Sequence, residues 1–228
     1  MSIYDNYCAV RDSVAEAAVA AGRDPKEVRL IGVTKFHPIE DIEPAVNAGL
    51  KSVGENRVQE LLDKLDYFNS AGLDVNLIGQ LQTNKVKYVI GKIGLIQSMD
   101  RLELAKEVDK RARAAFLVQD VLVEVNIGCE EQKGGILPDL LPDFLGVLSE
   151  MSGIRVKGLM CIPPAVGEQE ARAYFAKMRE LFHSIKAQNL PNIEMEQLSM
   201  GMSGDYRSAI LEGATMVRVG TAIFGARR

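Results

Sequence analysis

Eight short apolar runs, each followed by a stretch with helical spacing, constrain the fold of this chain more than any other feature. The strand-like runs are residues 28–35, 51–56, 76–81, 95–100, 119–127, 155–162, 196–199 and 216–219. Between them, apolar residues recur every three or four positions: Val58, Leu61, Leu62 and Leu65; Leu102, Ala105 and Val108; Leu140, Leu141, Phe144, Leu145 and Leu148; Tyr174, Phe175, Met178, Leu181, Phe182 and Ile185. Asp100 and Glu103 are spaced as a capping box for the second of these helices. Regular alternation of strand and helix implies a parallel sheet, and the fifth run is dense in Val and Leu without alternation, as a strand buried on both faces is. Eight is the number at which such a sheet closes. The expected fold is therefore α/β, a single (β/α)8 TIM barrel in which residues 1–228 form one domain. Residues 221–228 are too few for a last helix of normal length. The amphipathic run through Tyr7, Val10, Val14, Ala17, Ala18 and Ala21, stopped by Gly22, is predicted to take that place as an extra N-terminal helix. An open doubly wound sheet is the alternative, but no GxGxxG follows a strand.

Bulk properties narrow the function classes. With 47% hydrophobic and 25% charged residues the chain can bury a substantial core. Its formal charge of -4 and scattered basic residues argue against non-specific nucleic-acid binding. Cys8, Cys129 and Cys161 have neither even number nor CxxC spacing, which argues against a disulfide framework and a zinc site and suits a reducing, cytoplasmic setting. No basic-then-apolar leader opens the chain and no apolar run approaches twenty residues, so neither export nor membrane insertion is expected.

The first run breaks off at Lys35, followed at once by Phe36, His37 and Pro38. At the carboxyl end of a barrel strand a lysine can lose its proton readily and bond to an aldehyde as a Schiff base; the plainer reading is a lysine that snorkels out. Two glycine-containing turns, residues 199–205 after the seventh run and 218–221 after the eighth, lie where barrels commonly hold a phosphate. Ser203 and Thr221 can add hydroxyl donors; alternatively Ser203 or Asp205 merely caps the next helix. Arg218, two residues before Gly220, can point into the barrel mouth. A guanidinium beside a pyridine nitrogen would disfavour protonation of that nitrogen and so weaken the ring as an electron sink.

Gly32-Val33-Thr34-Lys35, Gly54-Glu55-Asn56 with Gln59-Glu60, residues 78–85, residues 199–203 with Asp205, and residues 217–225 together resemble the pyridoxal phosphate homeostasis proteins. The resemblance covers nearly the whole chain. It implies a barrel of the alanine racemase N-terminal type that binds pyridoxal 5'-phosphate (PLP) through a Schiff base to Lys35. Ser203, Gly220 and Thr221 would hold the phosphate, Arg218 would face the pyridine nitrogen, and Asn56 would lie beside the cofactor. One departure stands out: the family frequently has a histidine where this chain has Asn76, so imidazole proton chemistry is absent there. The implied function is to carry or buffer PLP with little or no catalysis, supporting vitamin B6 and amino-acid homeostasis as a cytoplasmic monomer that can hand PLP to apo-enzymes. The alternatives are a PLP-dependent amino-acid racemase-like enzyme and a barrel aldolase acting on a sugar phosphate. His183 reads as a surface residue, Cys161 as a small core residue and Cys129 as exposed in the 128–135 loop. Lys133-Gly134 in that loop also matches the family, with no physical role evident from sequence.

Overall fold

The structure, a computed structural model, describes residues 2–225. Its strands are β1 (Arg29–Val33), β2 (Ser52–Glu55), β3 (Asp74–Leu77), β4 (Leu95–Met99), β5 (Gln119–Glu124), β6 (Ile154–Met160), β7 (Ile193–Ser199) and β8 (Met216–Val219). All pair in parallel with their sequence neighbours, and β1 pairs with β8 to close the barrel. The helices are α1 (Ile3–Ala20), α2 (Ile39–Asn47), α3 (Val58–Ser70), α4 (Val86–Val89), α5 (Leu102–Ala114), α6 (Leu141–Ser149), α7 (Glu168–Lys186), α8 (Tyr206–Leu211) and α9 (Thr221–Phe224). This is the expected closed (β/α)8 fold, with the eighth strand bounded as its sequence pattern predicts.

Several strands are shorter than their apolar runs. The first ends at Val33 and the third at Leu77, so Lys35 and the Ile78-Gly79-Gln80 stretch lie in loops beyond the strand ends. The Ile78 N–H still donates to the Glu55 carbonyl at 2.9 Å and the Gly79 carbonyl accepts from Ser98 Oγ at 2.8 Å, so the start of the second loop stays fastened to its neighbours. The expected capping box at Asp100 does not form. Helix α5 starts at Leu102 behind Arg101 with no side-chain cap, because the Asp100 carboxylate is taken by the Arg101 guanidinium, which also donates to the Leu81 carbonyl. Leu140 is likewise off the buried stripe of its helix: it lies in a 3-10 turn and is exposed.

Helix α1 packs against α8, α9 and α2, filling the ring position that the four-residue α9 cannot. Its own capping box is Ser2 with Asp5. Asn6 Nδ2 donates to the Ile223 carbonyl at 3.1 Å, and Tyr206 donates to Ser13 Oγ at 2.9 Å, so α1 is tied to α8 and α9 in one ring. The main core lies between strands and helices; a smaller apolar group, Ile31, Leu95, Leu122, Met160 and Met216, fills the barrel interior. The interior also buries Asn76, Gln97, Ser199 and Arg218, an unusually polar filling for a barrel of this kind. Among the described residues no helix is long and apolar enough to cross a membrane.

Candidate functional site

The loop after β1 is held from below by a buried cluster. Thr34 Oγ1 and Lys64 Nζ both donate to Glu55 Oε1 at 2.7 Å, and Lys64 also donates to the Thr34 carbonyl at 2.9 Å. Burial raises the Glu55 carboxyl above its ordinary range, while the bonds from Lys64 and Thr34 act the other way. From the side, the Phe36 N–H donates to Glu60 Oε2 at 2.8 Å, fixing a residue whose φ is +65°. Glu55 and Glu60, motif residues without an assigned role in the sequence, therefore pin the backbone on both sides of Lys35.

Lys35 lines a cleft of about 300 Å³ at the carboxyl ends of the strands, together with Ser203, Arg218, Gly220 and Thr221. Two turns form the far wall. In the first, Gly201 has φ +90° and its missing Cβ would lie 2.6 Å from the Ala209 Cβ, so only glycine lets α8 approach. Asp205 Oδ1 accepts from the Met202 N–H at 2.6 Å, closing that turn rather than capping α8. The two turns then meet, because Ser203 Oγ accepts from the Ala222 N–H of α9 at 3.3 Å.

At the floor, Arg218 is 4% exposed, donating from Nη1 to Ser199 Oγ at 2.6 Å and from Nη2 to the Cys161 carbonyl at 2.8 Å. Asn56 is not among the residues that line this cleft. Its backbone is placed by Gly79, where a Cβ would lie 2.4 Å from the Asn56 carbonyl oxygen, and its Oδ1 is buried with no hydrogen-bond partner. A buried amide oxygen of this kind wants a donor from a ligand or a water.

Glu124, at the end of β5, has its carboxyl pushed up to about 7 by burial and by the charge of Asp100, with Arg218 pulling it back. The buried Cys161 thiol is pushed up to about 12, chiefly by burial, which leaves it a core residue, while Cys129 is exposed. The 128–135 loop is closed by Lys133, which donates to the Pro163 carbonyl at 3.0 Å and pairs with Glu130. His37 sits 3.4 Å from the Asp41 carboxylate with its ring against Phe224, and His183 is exposed. Among the described residues no group of three or more His, Cys, Asp or Glu could hold a metal ion.

Residues 8–228 match the family described as alanine racemase, N-terminal domain. The chain is 44% identical to the pyridoxal phosphate homeostasis protein of Aquifex aeolicus, with all of both chains covered. The chain belongs to the pyridoxal phosphate homeostasis protein family. Among solved structures similar to this family member are PipY of Synechococcus elongatus with PLP bound (TM-score 0.80, 34% identity, 93% of this chain and 100% of that one) and a protein of Bifidobacterium adolescentis described as unknown (TM-score 0.91, 36% identity, 97% and 94%).

Within this pyridoxal phosphate homeostasis protein family fold, the structure brings Lys35, Ser203, Arg218, Gly220 and Thr221 into one cleft and leaves Asn56 out of its lining, with a buried unpartnered oxygen. Sequence reading missed Lys64, Gln97 and Glu124. The available signal was polarity out of place: Gln97 interrupts an apolar strand, and Glu124 ends one.

Proposed function

We propose that this chain, as one barrel domain, binds PLP in the cleft and carries or buffers it with little or no turnover, so that vitamin B6 and amino-acid pools stay balanced. The observation that carries the reading is the single cleft shared by Lys35, the Ser203–Thr221 wall and Arg218. When bound, PLP supplies an aldehyde that bonds reversibly with an amine and a ring that can draw electrons from a bonded carbon. Lys35 Nζ provides the amine. Ser203, Thr221 and the backbone N–H groups of Gly220 and Thr221 donate to the phosphate, a role that suits two turns already in contact. Arg218, a buried cation, keeps a second positive charge off the pyridine nitrogen and so holds the ring below its full electron-drawing power. Asn56 Oδ1 accepts from the bound molecule or from a water beside it.

Relatives named as homeostasis proteins support a binding rather than a catalytic role. The cysteine pattern supports a cytoplasmic setting, and the same reading has a monomer that passes PLP to apo-enzymes. A racemase-like enzyme is the second reading, favoured by one observation: Glu124, with its carboxyl near neutrality, can hold or release a proton at the barrel mouth. Turnover of L- and D-alanine decides between the two.

The test of PLP binding is the visible absorption spectrum of wild type and Lys35→Ala, each incubated with PLP and desalted. The expected result is a band retained by the wild type and lost in the variant. Absence of the band from both would sink the PLP reading, and its presence in both would remove Lys35 as the anchor.

A further inference from the structure

A single file of hydrogen bonds crosses the barrel interior beneath the cleft. Arg218 Nη1 donates to Ser199 Oγ at 2.6 Å; Ser199 donates to Gln97 Oε1 at 2.7 Å; Gln97 Nε2 donates to Asn76 Oδ1 at 3.0 Å. Asn76 Nδ2 ends the file by donating to Ser52 Oγ and to the Val53 carbonyl, both at 3.0 Å. It thus runs from β8 through β7, β4 and β3 to β2, and every side chain in it is at least nine-tenths buried.

The direction of the file is forced. A guanidinium can only donate, so Ser199 must accept from it and spend its one hydrogen on Gln97. That turns the Gln97 carbonyl toward Ser199 and its NH2 toward Asn76, whose own NH2 is then sent to β2. Each member consequently points its oxygen, the negative end of its dipole, back toward Arg218. The arrangement answers a physical need: Arg218 is a buried cation, and among the described residues no carboxylate lies within ion-pair distance of it. Burial draws its pKa down, opposed by Cys161, Glu124 and Asp205, the titratable groups that face it. Oriented dipoles in a low-dielectric interior compensate a charge that water no longer reaches.

We propose that Ser199, Gln97 and Asn76 are positioning residues for Arg218, a one-way relay that keeps the guanidinium aimed at the floor of the cofactor cleft. This rests on the PLP reading above. None of the three lines the cleft. Asn76 belongs instead to a second cleft at the opposite mouth of the barrel. The relay also gives a reason for the departure at position 76: an amide accepts at one atom and donates at another, as a neutral imidazole does, so the one-way file needs no proton transfer at that position.

The experiment compares full-length wild type, Gln97→Met, Ser199→Ala and Ser199→Thr, each loaded with PLP, with the folded state checked by circular dichroism and thermal melting. Two quantities are read: the Kd for PLP and the pH midpoint at which the visible band of the retained cofactor titrates. Gln97→Met keeps the volume and Ser199→Ala removes one hydroxyl; both loosen the Nη1 side of Arg218, which keeps its Nη2 bond to the Cys161 carbonyl. The expected result for each is a roughly tenfold weaker Kd and a midpoint moved by about one pH unit from that of the wild type, since the proton that the band reports feels the charge at the ring nitrogen, which a misaligned guanidinium no longer fixes. Ser199→Thr, which keeps the hydroxyl, is expected to track the wild type. A packing role alone would lower the melting temperature and leave the midpoint where it was. Folded Ser199→Ala with a wild-type midpoint overturns the relay, even if Gln97→Met fails to fold. A wild type that retains no band overturns the PLP reading itself, and the relay's role falls with it.

Discussion

At the carboxyl end of β5, Glu124 feels the charge of Asp100 and the loss of solvent together, and its carboxyl moves from an ordinary 4.5 to about 7 in the folded protein. Between those values the native state holds a proton that the unfolded chain has released. Stability from this group therefore falls as pH rises from 4.5 to about 7 and is flat above that. Glu124→Gln removes the penalty. In urea unfolding of the cofactor-free protein, the variant is expected to gain about 1–3 kcal/mol on the wild type at pH 8 relative to its position at pH 4. A gain independent of pH would show that Glu124 ionises normally. Sequence alone marked Arg218 and Lys35 by their place at strand ends. It passed over Glu124 because nothing local says that a carboxylate ending β5 will come beside Asp100 at the end of the neighbouring β4.

Helix α3 is tied to β1 and β2 by one buried ion pair. Lys64, on the inner side of the helix, reaches Glu55 Oε1 and the Thr34 carbonyl, so it braces the loop that carries Lys35. The periodicity of this helix places Leu62 on the buried face, yet Leu62 is half-buried and Lys64 is the more enclosed of the two. The exchange follows from the barrel: Glu55 points out of β2 toward α3, and only a cation nearby makes its burial tolerable. Lys64→Met strands that carboxylate and is expected to cost about 3–5 kcal/mol in denaturant unfolding. Glu55→Met combined with Lys64→Met is expected to recover most of the loss. Equal costs for the single and double variants would mean that the pair holds no such coupling.

Helix α1 completes the outer ring, where the first and last described helices meet through Asn6 and Ile223. Because the proposed cofactor site spans β1, β7 and β8, ligand binding joins the first and last parts of the chain and should stabilise the molecule as a unit. PLP at a hundred times its Kd is expected to add about 2.7 kcal/mol to wild-type stability by mass action. Differential scanning calorimetry should then show a single transition moving upward in the wild type and a much smaller shift in Lys35→Ala. A second, unshifted transition would mean that part of the barrel unfolds independently of the site.

The number and order of the strands, and their alternation with helices, were legible in the sequence, because a strand buried on both faces and a helix buried on one leave local patterns of composition that need no partner to be read. The cleft residues Lys35, Ser203, Gly220 and Thr221 were legible too, since a lysine or a glycine turn at the end of a barrel strand can face only one mouth. Tertiary structure alone decided what braces them. Gln97 and Ser199 lie 102 residues apart and become hydrogen-bonded only when the sheet closes. The close approach of Gly79 to Asn56, and the inward turn of Lys64, likewise depend on which strands become neighbours. A buried polar group is stable only with its partner, and for these residues the partner is set by closure of the barrel rather than by the adjoining sequence.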